Sequence, residues 1–105
     1  MNNETLAALK DSIQHWRDNV TAKTPGKAST YWTDCPLCRM FLDAKCDGCP
    51  VGHRGCMRTP YDDAADALDA WILHDGDLDC RENWRWAAQA ELDFLISLLP
   101  EGETP

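Results

Sequence analysis

Three stretches of the chain carry apolar residues at helical spacing, and one long stretch between the first two carries no period. In "NETLAALKDSIQHWRDNV" the residues Leu6, Leu9, Ile13, Trp16 and Val20 recur three and four apart, which predicts an amphipathic helix over about residues 3–20. "TAKTPGKASTYWTD" follows, and its Pro25-Gly26 pair among small polar residues predicts a loop. A second helix is predicted over about residues 60–74. Thr59 is its N-cap, Pro60 fills the first turn without losing a needed hydrogen bond, and Asp62 takes the capping-box position. Tyr61, Ala64, Ala65, Leu68, Trp71 and Ile72 are its expected buried face, and "HDGD" ends it with His74 near the negative end of the dipole. The third helix is expected over about residues 80–99, starting at Asp79 with Glu82 reciprocating the cap. Trp84, Ala88, Leu92, Leu95 and Leu99 line its inner face, and Pro100 stops it. The tail "EGETP" is expected to fray.

Residues 31–58 replace periodicity with cysteine: "CPLCRMFLDAKCDGCPVGHRGC" holds five of the chain's six. "DGCP" and "GHRG" supply glycines for tight turns, and a short helix is expected within Leu37 to Lys45. At 105 residues the chain accommodates one domain with a small core. The expected fold is therefore mostly α: a single domain of about three helices with an irregular, metal-stapled, Cys-rich loop between helix 1 and helix 2.

The metal expectation rests on two C-x-x-C pairs, Cys35/Cys38 and Cys46/Cys49, followed by Cys56. Such a pair turns the backbone so that both thiolates reach one ion, and Gly48 and Pro50 suit the turn at the second pair. Zinc takes four ligands. Cys35, Cys38, Cys46 and Cys49 are the simplest set, Cys56 can replace Cys46 or Cys49, and His53 has a ligand-like location. An iron-sulfur cluster is the alternative, since it is also held by four thiolates and Cys49-Pro50 matches the end of bacterial ferredoxin runs. The C-x2-C-x2-C run of those proteins is missing, which favours zinc. Four thiolates leave no position open for a catalytic water, so the ion is structural. The thiols are read as metal ligands and not as disulfides because the first residues show no secretory leader and no stretch has the length of a membrane span. Both point to the cytoplasm.

Charge divides the chain unevenly. Residues 23–60 carry +3, whereas residues 61–105 set Arg81 and Arg85 against twelve acids and carry −10 of a total of −8. Direct nucleic-acid binding is disfavoured by that half, and its alternative form would use Arg39, Lys45, Arg54 and Arg58 on phosphates. Asp62, Asp63, Asp66 and Asp69, continued by Asp75, Asp77 and Asp79, form either a solvated face or a surface that enters a basic groove of another protein. Of the five tryptophans (Trp16, Trp32, Trp71, Trp84 and Trp86), most are expected in the core. Trp86, two residues beyond Trp84, points elsewhere and is a candidate partner anchor. Cys80 reads as a half-buried thiol at a helix start, and His15 and His74 read as structural. No His stands in the context of a Ser, Cys or carboxylate that nucleophilic or acid–base catalysis needs, and no phosphate-binding glycine loop is present, so no enzyme activity is expected.

From Cys35 to Tyr61 the chain resembles a group of small bacteriophage proteins. They share a C-x-L-C, C-x-G-C-P-V, G-x-x-x-C, T-P-Y pattern preceded by a helix with a His-Trp pair, here His15-Trp16. The resemblance covers about half the chain and implies phage origin, hence a host-cell cytoplasm. It carries no activity with it, and the acidic C-terminal helices lie outside it. The function expected from these readings is a non-enzymatic accessory protein that binds and modulates a host protein. Nucleic-acid-handling and antiviral-defence complexes are the target classes that an acidic surface suits.

Overall fold

The structure, a computed structural model, describes residues 1–30, 36–37 and 59–104. It is mostly helical, and among the described residues there is no strand. Helix α1 is Asn3–Val20, α2 is Pro60–Leu73 and α3 is Leu78–Ser97. The loop between α1 and α2 lies outside the described residues apart from its start and Pro36-Leu37; those two are helical, and the rest of the short helix expected within Leu37 to Lys45 lies outside.

Each helix begins where a side chain can take up an orphan backbone N–H. Asn2 caps α1, its Oδ1 accepting from Thr5 N at 2.7 Å. Thr59 caps α2 by accepting from Tyr61 N at 3.3 Å, and Pro60 stands in the first turn. The start expected for α3 is corrected. Asp77, not Asp79, is the cap, accepting from Asp79 N at 2.8 Å and Cys80 N at 3.3 Å. Either aspartate satisfies the cap rule, and Asp77 takes it because Gly76 has already turned the chain and Leu78 is free to enter the helix. Glu82 pairs instead with Arg85 one turn on, at 3.0 Å. The end of α3 is also corrected, from residue 99 to Ser97; Leu99 is half-buried beyond the helix.

The core is built around Trp84. It stacks on Trp71 of α2, with ring centroids 6.3 Å apart, and lies against Trp16 of α1 at 5.9 Å; Trp16 in turn meets Tyr61 edge-on at 6.3 Å. Leu9, Ile13, Leu68, Ala64, Ala88, Leu92 and Leu95 fill the remainder. Each indole removes on the order of 150–250 Å² from water, so the three buried tryptophans outweigh several aliphatic residues. α3 packs against both α1 and α2, whereas the backbones of α1 and α2 hardly meet and are bridged by side chains. α1 and α3 are antiparallel: Trp84 Nε1 donates to Asn19 O at 2.8 Å at one end, and Lys10 pairs with Glu103 at 2.9 Å near the other.

Ile72, expected on the buried face of α2, is 57 % exposed. Trp71 already turns its ring fully into the core, and the next residue stands about 100° round the helix. Four polar residues are buried where the apolar stripe gave no warning: Thr5, Ser12 and Asn19, seven apart on α1, and Glu91 on α3.

Candidate partner-binding surface

The acidic residues of α2 all lie on its outer side. Asp62, Asp63, Asp66 and Asp69 are exposed, while Ala64, Leu68 and Trp71 between them are buried, so the helix separates charge from core along its whole length. No Lys or Arg occurs in the sequence from Thr59 to Cys80. Asp62 and Asp63 sit in the first turn, where the helix dipole favours them; Asp69 and Asp75 sit towards the other end, where it does not.

Trp86 is 77 % exposed, as its offset from Trp84 predicts. It borders a shallow pocket of about 210 Å³ with Val20, Glu82, Arg85 and Gln89, and no described residue of α2 lines that pocket. The aspartate row and Trp86 are therefore separate features.

The corner between α2 and α3 is more informative. Gly76 N donates to Trp71 O at 3.1 Å and Asp75 N to Ile72 O at 3.2 Å, the paired bonds of a Schellman termination. The left-handed position at the heart of that motif belongs to Asp75, φ 54°, where glycine is favoured, and Gly76 beside it is left-handed too, φ 83°. Three large aliphatic residues stand out around this turn: Ile72 at 57 %, Leu73 at 79 % and Leu78 at 74 % exposure. An open groove of about 670 Å³ runs beside them, with residues 23–26 as one wall and Ile72, Asp75 and Gly76 as the other. The polarity of "HDGD" marks the turn in the sequence, but nothing in it marks the groove, because the opposite wall is some 50 residues away in the chain.

A polar joint fixes the start of the loop onto α1. Ser29 O accepts from Asn19 Nδ2 at 2.9 Å and from His15 Nε2 at 3.0 Å, and Ser29 N donates to Asn19 Oδ1 at 3.1 Å. A carbonyl only accepts, so His15 carries its proton on Nε2. Tyr61 OH donates to Thr30 O, tying the same strand of chain to α2. Asn19, His15 and Tyr61 thus do structural work, and the reading of His15 as structural agrees with this geometry. His74 is the exposed C-cap of α2, and Cys80 is a free thiol half-buried beside the core.

Of the candidate metal ligands, Cys35, Cys38, Cys46, Cys49, Cys56 and His53 lie outside the described residues, as do Arg39, Lys45, Arg54, Arg58 and Trp32. The two inner residues of the first C-x-x-C pair are described. Leu37 is 1 % exposed and donates its N–H to Ser12 Oγ at 3.4 Å, so this point of the cysteine segment is seated on α1. Two helical turns from Asn19 along α1 and from Trp84 along α3 lead to Ser12 and Glu91, which share one level of the antiparallel pair. Among the described residues no group of three or more His, Cys, Asp or Glu is placed to hold a metal ion, and no helix is long and apolar enough to cross a membrane. No family model, no curated protein and no solved structure matches the chain.

Proposed function

We propose that the chain is a non-enzymatic, zinc-stapled accessory protein of phage origin that holds a host protein against the acidic outer side of α2. The observation that carries this reading is the exposed row Asp62, Asp63, Asp66 and Asp69, set on the side of α2 away from a packed core in a helix that contains no Lys or Arg. A row of fixed carboxylates is complementary to a protein surface that binds phosphate, and it steers such a partner in from a distance. Host complexes that handle nucleic acid, those of antiviral defence included, present surfaces of that kind. Trp86 supplies a second contact on a different side of α3.

Cys35, Cys38, Cys46 and Cys49 would hold the zinc, with Cys56 able to replace Cys46 or Cys49. The thiol donor set fits that ion, which when bound supplies a cross-link and no chemistry of its own. Leu37, between the first two ligands, ties that cross-link to α1. A small core gains from such a staple.

Pull-down from host lysate with the wild type and with Asp63→Asn, Asp66→Asn and Asp69→Asn combined tests the reading. Loss of the captured protein from the triple variant is expected; equal capture rejects the acidic surface. Native mass spectrometry of freshly purified protein tests the staple separately. One zinc per chain is expected, whereas iron with visible absorbance would replace the staple with a redox cluster.

A further inference from the structure

The residues around the α2–α3 corner are arranged at a cost to the fold. Asp75 occupies a left-handed position that glycine would fill with less strain, and it places a negative charge beyond the C-terminal end of α2, which already repels one. Ile72, Leu73 and Leu78 expose aliphatic side chains within seven residues of one another, around a turn bearing Asp75, Asp77 and Asp79. Exposed apolar residues grouped with charge of one sign mark an interaction site more often than single surface leucines do. Strain held at such a place points to use.

We propose that this corner, together with the groove beside it, docks a cationic amphipathic segment of a partner protein. The inference rests on the reading that an acidic surface of this chain meets a partner, and it names the anchoring point and the chemistry that fits. Aliphatic side chains of the segment pack on Leu73 and Leu78 and enter the groove at Ile72. Its lysines or arginines pair with Asp75, Asp77 and Asp79. Lys23, on the opposite wall, keeps the segment's cations on the Asp75 side. The same charges argue against other occupants. A second copy of this corner would bring Asp75, Asp77 and Asp79 against themselves, and lipid headgroups or nucleic acid would bring phosphate to carboxylate.

The test is a fluorescence-anisotropy titration of the full chain with a labelled helical Leu/Lys peptide as probe. Ser/Lys and Leu/Glu peptides of the same length serve as controls. Saturable binding of the Leu/Lys peptide alone is expected. Leu73→Ser with Leu78→Ser is expected to weaken it about tenfold or more, as loss of two buried anchors does. Asp75→Gly is the decisive variant, because it relieves the left-handed strain. It is expected to raise the melting temperature by a few degrees while weakening the probe by about threefold. Weaker binding from a better-folded chain cannot be a folding defect.

No binding by the wild type overturns the proposal, as does equal binding by the corner variants or tight binding of either control peptide. Sedimentation showing a dimer lost in the Leu73→Ser, Leu78→Ser chain would overturn it too, by giving the corner to a second copy. The outcome is separable from the α2 reading. Host capture that needs Asp63, Asp66 and Asp69 but is indifferent to corner substitutions leaves that reading standing and removes this one.

Discussion

Trp71 and Trp84 are both fully buried and stacked on each other, yet their indole N–H groups meet different fates. Trp84 Nε1 donates to Asn19 O at 2.8 Å, while Trp71 Nε1 is buried with no hydrogen-bond partner among the described residues. A buried donor without a partner carries its desolvation cost, so the two residues respond differently to the same truncation. Trp71→Phe loses apolar volume but also sheds an unsatisfied group; Trp84→Phe loses similar volume and a made hydrogen bond, leaving Asn19 O with Ala22 N at 3.2 Å. Urea denaturation should place Trp84→Phe below Trp71→Phe by about 1–2 kcal/mol, and equal values would mean that the Asn19 bond adds nothing. Asn19 itself is a sharper case. Its side chain is 2 % exposed and closes a two-way bond with the Ser29 backbone, so Asn19→Ala removes both of those bonds, Ser29 O keeping His15 Nε2, and is expected to cost about 1–3 kcal/mol. The apolar stripe of α1 was legible in the sequence. The buried Asn19 was not, because a polar residue beside such a stripe normally faces water, and only the return of Ser29 and Trp84 gives it partners.

Among the elements, helix boundaries followed from chemistry that is local in sequence, and the departures came where two local signals competed. Thr59 stands alone as a cap residue before a periodic run, and α2 begins beside it. Asp77 and Asp79 compete at the start of α3, and the turn geometry imposed by Asp75 and Gly76 chooses Asp77. Asp77→Ala is therefore expected to destabilise the fold by about 1 kcal/mol, with Asp79→Ala within a few tenths of the wild type; thermal melts of the two variants decide it. The ion pair between Lys10 and Glu103 is solvent-exposed at both partners, and removing it should leave the melt within error. The acidic row of α2 could be read directly, since alternation of charge and core within one helix needs no tertiary information. The groove and the docking corner could not, because they form only when residues 23–26 come up beside the end of α2.

At the scale of the whole molecule, α3 is the element both other helices lean on, and the chain between α1 and α2 is sewn to them through Ser29, Thr30 and Leu37. With zinc held as proposed, chelation is expected to lower the midpoint of thermal unfolding clearly and reversibly, with re-addition of the ion restoring it; an unchanged midpoint would mean the helices need no staple. That experiment has a convenient readout already present in the core. Trp16, Trp84 and Trp71 lie within 5.9 and 6.3 Å of one another in sequence from α1 through α3 to α2. Indoles this close share their electronic excitation, and each pair's coupled band in circular dichroism exists only while the two helices that carry the pair are packed together. The helical band, by contrast, persists in any helix that survives alone. Followed together through a melt, the two bands separate loss of assembly from loss of helix without any label being attached.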